Sequence, residues 1–198
     1  MALLESEPDE PLTIVRIAAE VEAVPAALYR HFESLDVLLD GVVARVLESR
    51  DFELDERKGW EKQLGTWMRG LRAHLLRVPG VIGLIGRPGR TSPAWLETSS
   101  SLVPLLARAG IKGRDLALAY VWVLETTIGF VIQETILAVP QQVASARAAR
   151  GVLSQTSRDR YAPILPFLAQ LEGDELFEFF VEQTTAAVKL RRQAARRR

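Results

Sequence analysis

Four tryptophans, two histidines and a few carboxylates set in apolar sequence offer most of the side-chain chemistry in this 198-residue chain. Trp67 and His74 are seven residues apart, so a helix would present both on one side. Trp95 stands in a short apolar stretch. Trp122, Glu125, Gly129 and Gln133 fall at i, i+3, i+7 and i+11, one stripe along a long apolar segment. Aromatic walls with a few polar groups suit a small apolar or amphipathic ligand. Each tryptophan, taken singly, also suits a packed core. A carboxylate such as Glu125 among apolar residues needs a cationic partner, from its own or another subunit, or a shifted pKa.

Catalysis finds little to work with. There is no cysteine, which excludes disulfides, thiolate metal sites and a cysteine nucleophile. His31 and His74 are the only histidines, and no Glu-x-x-His pair, nucleophile elbow, phosphate-binding loop or dinucleotide fingerprint occurs. We expect no enzyme, no metal and no cofactor. The first residues lack the basic region and apolar core of a secretory signal, so the expected location is cytoplasmic.

The elements that must position these residues read as helices throughout. In Leu12 to Leu39, Thr13 is placed to cap a helix carrying Ile14, Ile17, Ala18 and Val21 on one face. Pro25 suits the first position of a second short helix, which turns Leu28 and Phe32 inward. Tyr29, Arg30 and His31 cluster at its end. Two such helices around a tight turn form a helix-turn-helix unit. Ser34 is placed to cap a third helix, with Asp36 in its first turn and Leu35, Leu39, Val42 or Val43, and Val46 on its apolar face, running to about Arg50.

The runs L-T-x-x-x-I-A-A and A-L-Y-R-H-F-x-S-x-x-x-L-L closely resemble the DNA-binding end of TetR-family transcriptional regulators. The resemblance covers about the first fifty residues. It implies an all-α chain with a DNA-binding domain over 1–50 and a larger helical effector-binding and dimerisation domain over 51–198. Expected partners are double-stranded operator DNA, a small apolar or amphipathic effector, and a second copy of the chain, the protein acting as a repressor. By the same resemblance Tyr29, His31 and the Thr13 hydroxyl contact phosphates, with Arg16 and Arg30 as the cations well placed to help. In a helix-turn-helix the first residues of the second helix reach the base edges. Here these are Pro25, Ala26 and Ala27, whose side chains offer a thymine methyl a contact and no hydrogen bond. The plain alternative is that Tyr29, Arg30 and His31 only close the local core.

Several residues depart from the family pattern. Glu22 stands at a turn position that usually holds glycine, Val24 replaces a capping serine, and Leu35 replaces a lysine that commonly reaches phosphate. Residues 1–50 carry four arginines against ten carboxylates, a net −6 and the wrong sign for a phosphate-binding surface. Ala2 to Glu5 read as the stub of a first helix some dozen residues short, from a late-assigned start or a truncated form. These features also fit a ligand-binding relative with weakened or lost DNA binding.

Beyond residue 50, a charged loop is expected over Asp51 to Gly59 and an amphipathic helix over Trp60 to Val78. A short buried turn follows over Val81 to Ile85. Ser92 is placed to cap the next helix, and Pro104 implies a break before Leu105. Residues 114–139 form the longest apolar segment, which Asp115, Glu125, Gln133 and Glu134 interrupt, so no membrane span is expected. This helix and a final one over 174–192 are the expected dimer interface. Between them, Gln141 to Pro166 reads as a less regular, mobile or partly helical connection, and the basic tail after Lys189 as a solvated end, with weak DNA contact as the alternative.

Overall fold

Local capping chemistry starts the helices where the side chains allow it. The computed structural model describes residues 2–7, 10–87, 90–137, 139–168 and 170–196, and the described residues contain helices and no strand. A short α1 (Ala2–Ser6) precedes α2 (Ile14–Glu20), α3 (Pro25–Leu28) and α4 (Leu35–Glu48). Thr13 Oγ1 accepts the Arg16 amide at 3.3 Å and Ser34 Oγ accepts the Val37 amide at 3.2 Å, each satisfying a free donor of a first turn. Pro25 begins α3 as its fixed φ suggests.

Helix α5 (Trp60–Arg77) buries Trp60, Leu64, Trp67, Leu71, His74 and Leu75 along one side, as an amphipathic helix should. A 3-10 turn (Pro79–Val81) and α6 (Ile82–Ile85) follow, then α7 (Pro93–Ser100) and α8 (Leu102–Arg108). One expectation fails here. Ser92 holds the N-cap position of α7, yet its hydroxyl is buried and makes no capping bond. The break that Pro104 implies before Leu105 falls at Ser101, which leaves Pro104 in the first turn of α8, where its missing N–H costs nothing. Gly110 follows α8 with φ +84°, the left-handed residue that commonly closes a helix.

The long helix α9 (Gly113–Ile136) stops three residues before its expected end, and α10 (Val139–Ala148) restarts with Pro140 in its first turn. The connection expected to be mobile or partly helical contains α10, a 3-10 turn (Ala149–Gly151), α11 (Gln155–Tyr161) and α12 (Leu165–Leu168). The final helix is α13 (Gly173–Arg196). By length and composition alone α9 meets the requirement for a bilayer span, which the polar interruptions in its sequence had argued against. Glu125 and Gln133 lie on its exposed face, and each would be costly in hydrocarbon.

The chain forms two compact units, residues 1–120 and 121–198. In the first, α4 packs mainly on α7 and α5 on α8, burying Leu39, Val43, Val46 and Leu47 of α4. Each fully buried aliphatic side chain of this kind contributes about 1.5–3 kcal/mol. In the second, Val123 and Val131 of α9 and Phe177, Val181 and Val188 of α13 are buried. Phe130 meets Phe177 edge to face at 5.0 Å and stacks on Phe180 at 5.6 Å.

Candidate nucleic-acid interface

The turn between α2 and α3 is closed by two backbone bonds, Ala23 N–H to Ala18 at 2.8 Å and Glu22 N–H to Ala19 at 3.2 Å. This is a helix-ending motif in which Glu22 adopts φ +50°. A side chain in that region costs about 1–2 kcal/mol, so the expected strain at Glu22 is present. Val24 precedes α3 and gives no side-chain cap, leaving the first amides of α3 without that partner.

Around this frame the eight candidate DNA contacts fall into groups. Ala26, Tyr29, Arg30 and His31 are exposed at the two ends of α3, and Arg30 has no ion pair among the described residues. Thr13 is exposed, but its hydroxyl is engaged as the cap of α2. Pro25 and Ala27 are half-buried. Arg16 is not free: one Nη donates to the Pro11 carbonyl at 2.7 Å and the other is ion-paired with Glu7.

Helix α4, which directly follows this unit, is fastened to the rest of residues 1–120 at both ends. At its start Arg87 donates to Asp36 at 2.8 Å and both Arg87 and Arg90 are ion-paired with Asp40. Arg87 and Asp40 are largely buried, so the pair is screened less than a surface bridge. Sequence reasoning missed this cluster, since its partners lie about fifty positions apart and share no motif. Near its other end the Val46 carbonyl accepts from the His74 ring Nε2 at 2.7 Å. His74 Nδ1 accepts from Arg77 at 2.9 Å, and Arg77 is in turn paired with Asp51 at 2.9 Å.

These partners fix the His74 tautomer. A carbonyl accepts only, so Nε2 carries the proton, and a guanidinium donates only, so Nδ1 must be bare. Burial pushes the His74 pKa below its ordinary 6.5, with the Arg77 charge adding to the effect and the Val46 carbonyl opposing it. Both ring nitrogens are thus committed inside the protein. His74 as it stands offers a ligand no free ring nitrogen.

The unfolded chain takes up this proton first as pH falls, because the folded pKa is the lower. The stability involved is therefore complete above pH 6.5 and lost as pH falls from there toward the folded value. Urea midpoints taken from pH 8 down to 5 are expected to decline in the wild type and to decline less steeply in His74→Gln. Equal slopes for the two proteins would refute this account.

The remaining effector-side candidates separate. Trp67 is buried with its indole N–H on Ser101 Oγ at 3.0 Å, and Trp95 is buried as well. Trp122, Glu125, Gly129 and Gln133 are all exposed along one face of α9, with Trp122 51% exposed. They do not lie in the interior of residues 121–198. On α13 the exposed positions Phe179, Gln183, Ala186 and Leu190 make a second stripe, with Phe179 61% exposed. Among the described residues no group of acidic and histidine side chains is arranged to hold a metal ion.

Comparison with known proteins follows the same lines. The family model of tetracyclin repressor-like C-terminal domains matches residues 53–183. The fold is similar to that of a possible TetR family transcriptional regulator from Streptomyces coelicolor A3(2), with TM-score 0.80 and 24% identity over 96% of this chain and 94% of that one. The Streptomyces coelicolor TetR family protein ActR in complex with actinorhodin gives TM-score 0.75 and 20% identity, covering 96% and 93%. BioQ with its double-stranded DNA operator gives 0.59 and 23%, covering 86% and 93%. In sequence, the nucleoid occlusion factor SlmA of Shewanella pealeana is 32% identical over 83 residues, 40% of this chain. The match takes in 42% of that relative's length, so the likeness is partial.

Proposed function

Because the chain belongs to the tetracycline repressor-like family of transcriptional regulators, we propose that it is a cytoplasmic, effector-responsive repressor that binds operator DNA as a homodimer. The observation that carries this reading is the capped α2–turn–α3 unit with Tyr29, Arg30 and His31 exposed beside α3. In the proposed division residues 1–50 bind DNA, and 51–198 bind the effector and the second subunit. Tyr29 and His31 would hold phosphates, Arg30 would supply charge, and Pro25, Ala26 and Ala27 would face thymine methyls.

The exposed stripes of α9 and α13 are the proposed dimer face. Two copies related by a twofold axis would cover Trp122 and Phe179, and would set two α3 helices one DNA turn apart, about 34–36 Å. This reassigns Trp122, Glu125, Gly129 and Gln133 from effector to partner subunit. Trp67 and Trp95 remain candidate apolar walls for a small apolar or amphipathic effector. Such a molecule releases DNA only if it binds one arrangement of the two α3 helices better than the other. The ligand-bound and operator-bound relatives are compatible with this scheme.

A second reading, a ligand-binding protein without operator affinity, is favoured by the engagement of Arg16 and the net −6 of residues 1–50. Mobility shifts of the full chain on the DNA upstream of its own coding sequence separate the two. The regulator reading requires binding that prefers particular sequences and weakens steeply with salt. Binding that is absent or indifferent to sequence would leave the second reading.

A further inference from the structure

We propose that the inner face of α13 binds an amphipathic carboxylate, Arg192 receiving the anion and Thr184 a hydroxyl or carbonyl oxygen farther along its apolar body. This deepens the effector reading, on which it rests, by naming the chemical class of the molecule and seating it within residues 121–198. Phe177, Val181, Thr184 and Val188 form a buried stripe, and Arg192, one turn beyond Val188 on the same side, is half-buried. Thr184 Oγ1 and Arg192 Nε are shut off from water and have no hydrogen-bond partner among the described residues. Arg192 also has no ion pair among them. On α9, Thr127 Oγ1 is in the same condition as Thr184 Oγ1. Thr127 lies one turn before Phe130, whose ring meets Phe177 and Phe180 of α13 at 5.0 and 5.6 Å.

A buried donor left without an acceptor is costly, and folded interiors hold few of them. A helical threonine ordinarily escapes that cost by bonding the carbonyl four residues back. Thr185 does so to Val181 at 2.8 Å, and Thr126 does so to Trp122. Their sequence neighbours Thr184 and Thr127 do not, although both are fully buried. A ligand oxygen would supply the missing partner. A guanidinium donates only, so Arg192 calls for an anion, and a carboxylate matches its planar fork. At 1.5 Å per residue, Arg192 stands about 12 Å along the helix from Thr184, with Val188 between them. That span sets the separation of the ligand's two polar ends, and Val188 requires the body between them to be apolar. Since no water reaches these atoms, the ligand enters by displacing side chains, with the half-buried Phe130 and Phe180 rings as the movable cover.

The test is calorimetric titration of the full chain with ω-hydroxydecanoate, decanoate and decanol, which share one apolar chain and differ in their polar ends. The wild type is expected to bind ω-hydroxydecanoate tightest and decanol weakest. Arg192→Gln is expected to weaken decanoate by about tenfold or more, through loss of a charge-assisted bond, and to leave decanol unchanged. Arg191→Gln, which removes the same charge from the neighbouring exposed position, is expected to change neither. Thr184→Val keeps the shape of the side chain and is expected to erase the preference for the hydroxylated probe. The thermal midpoint of that variant without ligand is expected to hold or rise, because an unpartnered hydroxyl is gone. The site is overturned if ω-hydroxydecanoate does not bind the wild type, or if Arg192→Gln acts no differently from Arg191→Gln. A Thr184→Val variant that keeps the preference overturns it as well. None of these titrations involves DNA. If they come out as expected while saturating ω-hydroxydecanoate leaves DNA affinity in mobility shifts unchanged, the effector reading falls and the binding site stands.

Discussion

A Trp122→Asp, Phe179→Asp variant is expected to sediment as a monomer at micromolar concentration and to lose operator binding by more than about a thousandfold. Both residues are large, apolar and more than half exposed on the single chain. Covering them is worth about 1.5–3 kcal/mol each on the burial scale. An aspartate placed there would instead leave an unpaired carboxylate in a closed interface, at a cost of about 3–5 kcal/mol. In a twofold dimer every substitution acts twice. Since neither side chain is buried within the monomer, its thermal unfolding should shift little. Analytical ultracentrifugation combined with operator titration checks both halves. A variant that stays dimeric would show that the second subunit docks elsewhere.

Phe177→Ala is expected to do the reverse, unfolding the subunit itself. Phe177 is fully buried, meets Phe130 edge to face at 5.0 Å and lies 5.9 Å from Phe180. Emptying such a site costs about 3–5 kcal/mol, through lost transfer energy and the cavity left behind. At roughly 2–4 °C per kcal/mol for a chain of this length, the midpoint falls by about 6–20 °C. Phe179→Ala, two residues away on the opposite face of α13, should move the midpoint far less. Calorimetry on the two variants decides it, and comparable losses would mean that Phe179 is also part of the subunit core.

The fold was legible in the sequence wherever a signal was local. Thr13 and Ser34 cap their helices because a hydroxyl three positions ahead of an amide has little else to reach. The buried face of α5 follows its 3.6-residue period, and the left-handed Glu22 follows from the turn it must make. What escaped was decided over long distances. Ser92 looks like a cap, but packing buries its hydroxyl. The Arg87–Asp36–Asp40–Arg90 cluster joins residues that no pattern connects. The sequence marks residues 114–139 only as the longest apolar segment. Only the packing of Val123 and Val131 showed that Trp122, Glu125 and Gln133 face outward. Arg16 illustrates the same limit in the binding unit, since its availability is set by its contacts with Glu7 and the Pro11 carbonyl more than by its own position.

The bond from His74 Nε2 to the Val46 carbonyl makes one ring proton a witness to the helix that leads out of the DNA-binding unit. Held on a carbonyl at 2.7 Å and shielded from water, that proton exchanges slowly enough to give its own downfield nuclear magnetic resonance signal. With a single other histidine in the chain, His31, the assignment needs one substitution. The signal persists for as long as the last turn of α4 stays attached to α5. Adding DNA or a candidate effector therefore turns a question about helix movement into whether one line in a spectrum broadens, shifts or disappears.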